Sequence, residues 1–210
     1  MGRRKRLLAN SLAARVYGFG RGSSFTPKDF RDLATDESVR QTLRRLTAEG
    51  VIRRLRRGVY EYPKKSVILK SAAPPDPAAL AHTIARSQGW SIIPTGDVAL
   101  NMFGLSTQIP ARWEYYGDGP TKTYSWLHGT IVFKHRTAKE GAKLSPRTAM
   151  VVQALKALGK AHVDNEVIAT LRKALTRKEI QRAAAESRLV SGWIYQAIKR
   201  IAADGETSHA

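Results

Sequence analysis

The sequence of 210 residues contains no cysteine, which excludes disulfides, thiolate zinc sites and cysteine nucleophiles and suits a reducing compartment. It is also poor in acidic residues. Its 17 Asp and Glu face 36 Lys and Arg, a formal net charge of +19, which exceeds what solubility requires and favours a polyanionic partner, nucleic acid first and an anionic membrane surface second. Long apolar runs are missing too: the longest stretch nearly free of charge, Ser87 to Ala111, is broken by Gly89, Pro94, Gly96, Asp97, Gly104 and Pro110. That stretch reads as folded chain rather than as a membrane span. The opening Met1-Gly2-Arg3-Arg4-Lys5-Arg6 imitates a secretory signal, but Asn10, Ser11 and Arg15 interrupt the apolar part, so it reads as helix. Arg6, where Ser or Thr would be needed, removes a myristoylation signal. Repeats of fixed period and low-complexity tracts are absent as well.

An apolar content of 42% with 25% charged residues belongs to a folded chain of one large or two small domains. The charge is uneven. Residues 1–70 hold 18 basic and 6 acidic side chains, a net of +12, and residues 71–210 hold 18 and 11, a net of +7. Within the basic third, Leu8, Leu12, Val16 and Phe19 fall on one face of a helix over residues 6–19, with Arg15 at its edge. Thr26-Pro27 opens a short helix through Leu33, anchored by Phe25 and Phe30. A third helix is expected from about Glu37 to Ala48, entered at Thr35-Asp36, closed by Gly50 and buried through Val39, Leu43 and Leu46. At 100° per residue its opposite face carries Glu37, Gln41, Arg44 and Ala48, flanked by Arg40 and Arg45.

After Gly50 the period changes. The β-branched and aromatic run from Val51 to Tyr62, with Gly58 in its middle and Pro63 at its end, predicts a β-hairpin with a basic tip. Three helices followed by a hairpin make a winged helix-turn-helix, in which helix three enters the major groove. Gln41 and Arg44 are the candidates for reading base edges, because an amide and a guanidinium bond bidentately to adenine and guanine respectively. Ser38, Arg40, Arg45 and the hairpin residues Arg53, Arg54, Arg56 and Arg57 are the candidates for backbone contact. A solvated charged face on an ordinary α/β domain is the alternative to this interface.

Ala72-Ala-Pro-Pro-Asp-Pro77 disfavours both helix and inner strand and marks a linker over 71–77. Beyond it are expected helices over Ala78 to Ser87 and around Asp97 to Phe103, then strands over Arg112 to Tyr116, Thr121 to Trp126 and Thr130 to His135. Asp118-Gly119 is the expected hairpin turn between the first two strands. From Ser145 onward, Val151, Leu155 and Leu158, then Val167, Ile168 and Leu171, then Ile180 and Ala184, then Ile194, Ala197, Ile198 and Ile201 predict four helices able to form a small bundle. The expected fold is therefore α+β: an N-terminal winged helix-turn-helix over 1–70 and a mixed α/β domain over 78–210 that ends in a helical bundle.

Signals for catalysis are weak. Gly18, Gly20 and Gly22 alternate, yet no strand precedes them and no Gly-Lys-Ser/Thr follows. Gly22-Ser23-Ser24 with Asp29 and Asp32 is a possible nucleotidyltransferase signature, but two carboxylates three residues apart on a short helix are not the strand-alternating pair that two metals need. His82, His128, His135, His162 and His209 stand singly without metal-ligand spacing. No catalytic residue, metal or cofactor is expected. Trp90, Trp113, Trp126 and Trp193, with Tyr115, Tyr116 and Tyr124, read as core or interface anchors.

The run Phe25-Thr-Pro-Lys-Asp-Phe30, then Val39-Arg-Gln-Thr-Leu-Arg-Arg-Leu46, then Gly50-Val-Ile-Arg-Arg-Leu-Arg-Arg-Gly58-Val-Tyr60 resembles the winged-helix domain of AbiEi-type antitoxins. Ile93-Pro-Thr-Gly-Asp-Val-Ala-Leu-Asn-Met-Phe-Gly-Leu105 is similar to that family's segment in which a small helix ends in a Gly-Leu pair. The resemblance covers residues 1–135 by motif. It implies a bacterial, cytoplasmic antitoxin of a type IV toxin-antitoxin or abortive-infection system. Such a protein binds inverted repeats in its own promoter as a repressor and opposes a nucleotidyltransferase toxin, often without a stable complex. Two-fold operators call for a homodimer or for two monomers on neighbouring half-sites. A stand-alone winged-helix regulator without a toxin and a nucleic-acid-modifying enzyme are the alternatives.

Overall fold

The computed structural model describes residues 2–66, 71–126, 129–136 and 144–203, with side chains from Ala9 onward. Leu8, His128 and His209, which the sequence singles out, lie outside the described side chains. The chain is α+β, with eight α-helices and two β-sheets among the described residues. It divides into two compact units, Met1–Trp90 with Ser125–Gly129, and Ser91–Tyr124 with Thr130–Ala210.

The first unit runs α1 (Gly2–Phe19), β1 (Ser24–Phe25), a single 3-10 turn (Pro27–Phe30), α2 (Asp36–Ala48), β2 (Arg53–Arg56), β3 (Val59–Glu61) and α3 (Pro77–Gln88). Its core gathers Leu12 and Val16 of α1, Phe25, Phe30, the α2 stripe Val39, Leu43 and Leu46, and Ile52 and Tyr60. Phe25 and Phe30 meet edge-on at 5.5 Å and are fully buried, as their spacing around Thr26-Pro27 suggests. Phe19, expected on the buried stripe, stays 41% exposed and lays its ring against the other two at 5.8 and 5.9 Å. The expected helix through Leu33 is only the 3-10 turn, held open by Asp29, whose Oδ2 accepts both the Thr26 N–H (2.8 Å) and its hydroxyl (3.1 Å).

Both ends of α2 are fixed locally. Thr35 Oγ1 accepts the Ser38 N–H at the start, with Asp36 and Glu37 in the first turn favoured by the helix dipole. Gly50, at φ +70, then lets the Val51 and Ile52 N–H groups return to the Leu46 carbonyl at 3.0 and 3.3 Å. The chain turns at Gly58, at φ +77, into an antiparallel sheet of order β1-β3-β2 that pairs Arg53 with Glu61, Arg54 with Tyr60 and Ser24 with Glu61. A bulge lies between Arg54 and Arg56.

The division between the units falls at Trp90/Ser91 rather than at the proline-rich 71–77, so α3 stays with the first unit. The prolines serve it directly: Asp76 caps α3 by accepting the Ala78 N–H at 2.8 Å, and Pro77 occupies the first helical position. Three contacts tie α3 back. Buried Thr83 donates its hydroxyl to the Ser24 carbonyl (3.0 Å), Lys28 Nζ reaches the Ser87 carbonyl, and Arg86 pairs with Asp29.

From Ser91 the chain runs β4 (Ile92–Pro94), α4 (Gly96–Met102), β5 (Arg112–Gly117), β6 (Lys122–Trp126), β7 (Gly129–His135) and helices α5 (Pro146–Leu158), α6 (Asn165–Lys173), α7 (Arg177–Glu186) and α8 (Gly192–Ala203), all in the second unit except Ser125, Trp126 and Gly129 at the facing ends of β6 and β7. The sheet order is β4-β5-β7-β6, and β5 pairs in parallel with β7 from Arg112–Thr130 to Gly117–His135. Asp118-Gly119 is therefore not the expected β5–β6 hairpin turn. Both edges of β5 are occupied, by β4 and by β7, and Asp118 Oδ1 accepts the Ser91 N–H at 2.9 Å. The four C-terminal helices pack as their apolar spacing predicts, with Val151, Leu155, Ile168, Leu171, Ile194 and Ile198 in one core that also takes Phe103 and Ala99.

Candidate nucleic-acid interface

The outward face of α2 is a polar, cationic surface on a helix fixed at both ends. Val39, Leu43 and Leu46 are buried, so Glu37, Arg40, Gln41, Arg44, Arg45 and Ala48 are all exposed. Burying each of the three apolar side chains contributes roughly 1.5–3 kcal/mol toward holding that orientation. Gln41 and Arg44, the expected base readers, have no side-chain partner among the described residues.

The flanking cations are loosely engaged. Arg45 lies 3.3 Å from Glu49, and Arg40 lies 3.8 Å from Asp36, which also receives Arg31 at 3.2 Å. The Arg31 guanidinium, through its hydrogen bond, holds the Asp36 carboxyl below the usual carboxylate range. Exposed pairs of this kind contribute about 0–1 kcal/mol, so a phosphate can replace them. Ser38 is half-buried and works chiefly in the cap: its N–H donates to Thr35 Oγ1, whose hydroxyl donates to Ser38 Oγ at 3.1 Å.

The hairpin arginines divide. Arg54 and Arg57 are exposed, and Arg54 Nε donates to the Arg56 carbonyl at 3.2 Å, while Arg56 is half-buried. Arg53, expected at the DNA backbone, turns inward instead. Its Nε donates to Glu61 Oε2 at 2.5 Å and its Nη2 to the Ala73 carbonyl at 2.5 Å, and Glu61 is only 2% exposed. A carboxylate buried to that degree needs a permanent counter-charge, and the register that pairs Arg53 with Glu61 supplies it.

Two further cations of this unit carry no signal as DNA contacts in the sequence. Arg31 gains its position only through Asp36, five residues on. Arg21 lies 4.5 Å from the Tyr62 ring centroid and donates to the Pro63 carbonyl at 3.0 Å, a contact across 42 residues that no local pattern announces.

The carboxylates weighed for metal chemistry are taken. Asp29 pairs with Arg86 and caps Thr26, and Asp32 pairs with Arg15 at 2.5 Å. Hydrogen bonding to Arg15 also holds the Asp32 carboxyl below its ordinary range. No cluster of three His, Cys, Asp or Glu that could hold a metal stands among the described residues. The second unit contains a cavity of about 620 Å³ walled by Ile92, Tyr116, Arg136, Val152, Gln153 and Lys156. Asp118, also on its wall, is the carboxylate already bound to the Ser91 N–H. No helix among the described residues is long and apolar enough to cross a membrane.

The model of a family of unknown function, DUF6088, matches residues 11–183. No curated protein matches the chain. Among solved structures, the RV2827C protein from Mycobacterium tuberculosis is similar at 19% identity and a TM-score of 0.43, over 93% of this chain and 78% of that one.

Proposed function

We propose that this chain, which belongs to the DUF6088 family of unknown function, is a sequence-specific DNA-binding repressor whose first unit works as a winged helix-turn-helix. The observation that carries this is the pair Gln41 and Arg44, exposed and unpartnered among the described residues on a helix fixed at both ends. The 3-10 turn and α2 serve as the helix-turn-helix pair, and the β2–β3 hairpin serves as the wing.

With α2 in the major groove, Gln41 bonds adenine and Arg44 bonds guanine. Arg40 and Arg45 exchange Asp36 and Glu49 for phosphates, and Ser38 offers its hydroxyl at the start of the helix. Arg54, Arg56 and Arg57 hold the backbone beside the wing; Arg53 has no part in this, because it neutralises Glu61. A gel-shift titration against the chain's own upstream region, with random DNA as competitor at several salt concentrations, tests this. Tighter binding to the upstream region supports the repressor, and equal binding to both defeats it.

The resemblance of residues 1–135 to AbiEi-type antitoxins supports the further reading that this repressor is bacterial and cytoplasmic, acts on inverted repeats in its own promoter, and opposes a nucleotidyltransferase toxin. Co-expression decides that part. A neighbouring toxin gene whose lethality this chain suppresses supports the antitoxin, and unrelieved lethality leaves a stand-alone regulator.

A further inference from the structure

We propose that the outward face of α7, in the second unit, is a separate contact to the phosphate backbone of duplex DNA; this rests on the DNA-binding reading of the first unit. The cations of the second unit differ in how they are held, and Arg112, Lys156, Lys160 and Lys173 are exposed without a side-chain partner among the described residues, as the α7 cations are. Arg147, Arg172 and Arg200 are tied to main-chain carbonyls: Arg147 to Ala174 at 2.7 Å, Arg172 to Ile201 at 2.9 Å and Arg200 at 2.7 Å, and Arg200 to Val163 at 3.3 Å. Arg177 and Lys178 on α7, and Arg188 in the turn that follows, are exposed and have no partner among the described residues. Arg182, on the same face, is 68% exposed and reaches Glu186 at 2.8 Å.

At 100° per residue, Arg177, Lys178, Gln181, Arg182 and Ala185 span an arc of about 140°, with Gln181 and the small Ala185 near its middle. Both acids of α7 lie off that arc. Glu179 turns to Arg147 and to the Thr176 N–H (2.8 Å), and Glu186 Oε2 accepts the Ser145 N–H (2.7 Å). The opposite face buries Ala183 and packs Ile180 and Ala184 on the core. α7 shares with α2 an outward face that carries an amide, an alanine and flanking cations, but the centre of the α2 face also holds Glu37 and Arg44. It also follows α6 after three residues, the spacing of a helix-turn-helix pair. The capping box of Thr176 and Glu179 fixes its start.

The chemistry of the face favours a polyphosphate. A helix that lies in a lipid surface needs large apolar residues on the side that meets the lipid, and the arc has none. A protein partner needs aromatic or clustered apolar anchors; Leu189, 84% exposed, is a single apolar side chain beside Arg188. Exposed cations gathered on one face without large apolar neighbours suit a line of backbone phosphates, which neutralises several of them together.

The test uses the full chain carrying Arg177→Ala, Lys178→Ala and Arg188→Ala together, on a duplex from its own upstream region and on a shuffled duplex. The triple variant lowers the steepness of log K against log salt by about 2 to 3, near 0.9 per lost phosphate contact. It shortens the hydroxyl-radical footprint at one side and leaves the unfolding midpoint unchanged. If the triple variant misfolds, Lys178→Glu alone reads the same slope, lower by about 1. An unchanged slope with an unchanged footprint overturns the α7 contact, and so does a variant that loses only binding to vesicles of anionic lipid. A wild-type chain that binds neither duplex overturns both this contact and the repressor. Binding that depends on α7 but not on Gln41 and Arg44 overturns the base-reading role of α2 alone.

Discussion

The outward face of α2 and the strand β2 are both rich in arginine, yet their arginines have different fates. On α2 the apolar stripe is narrow, Val39, Leu43 and Leu46, and Arg44 is left facing solvent with no partner among the described residues. On β2 the neighbouring strand brings a buried carboxylate directly opposite, and Arg53 is drawn in to Glu61 and the Ala73 carbonyl. Counting cations therefore overstates the interface. What decides whether an arginine is available to DNA is the charge that its own element places across from it.

The sharpest way to break the comparison is to remove one arginine from each region. Arg53→Met leaves Glu61 buried without a counter-charge. A fully buried pair broken this way costs about 3–5 kcal/mol; Arg53 keeps 28% of its side chain exposed, so a loss nearer 2–4 kcal/mol is expected in urea unfolding. Arg44→Ala does the reverse: it leaves stability within about 0.5 kcal/mol and weakens cognate binding by about 1–3 kcal/mol. If Arg53→Met were stable and Arg44→Ala unfolded, the two roles would be exchanged.

Within the hairpin the comparison narrows. Arg54→Ala with Arg57→Ala should flatten the dependence of log K on log salt by up to about 2, since each lost phosphate contact removes about 0.9, with no preference among sequences. A full slope would take the hairpin off the DNA.

The smallest expected effect extends the distinction to a carboxylate of the second unit. Burial raises the Glu186 pKa, but hydrogen bonds from the Ser145 N–H, Thr148 and Arg182 outweigh it and hold the group at about 2, against an ordinary 4.5. Its folded pKa is lowered, so its stabilisation is present above pH 4.5 and fades as the pH falls toward 2. Glu186→Gln should make the unfolding midpoint less sensitive to pH across that window. An unaltered pH profile would show that Glu186 is not held as its contacts indicate.

The helices were legible because their apolar residues repeat at helical spacing: Val39, Leu43 and Leu46 are buried as expected, and the last four helices fall where Leu155, Leu171, Ile180 and Ile198 place them, although Ala183 rather than Ile180 or Ala184 is the residue that α7 buries fully. β1 was not, because two residues are too few to show a period, and at Pro27 the cap showed where a helix starts but not that it stops as a 3-10 turn at Phe30. Strand order is not written in periodicity either, so nothing local showed that β7 lies between β5 and β6. The first unit's extension to α3 was hidden because the prolines of 71–77 look the same in a linker as at a helix start. For Arg53 part of a signal was present. Glu61 is the one acid of the hairpin, but counting back around Gly58 sets it opposite Arg54, and only the bulge between Arg54 and Arg56 moves the pairing to Arg53.

The most direct test of the central claim is a parallel titration of the wild-type chain and of the Gln41→Ala, Arg44→Ala double variant, each onto the upstream region and onto a shuffled duplex of the same composition. The wild type should prefer the upstream region, and the double variant should lose that preference while still binding both duplexes through its remaining cations. Equal binding of the wild type to the two duplexes, or a preference that survives in the double variant, would contradict it.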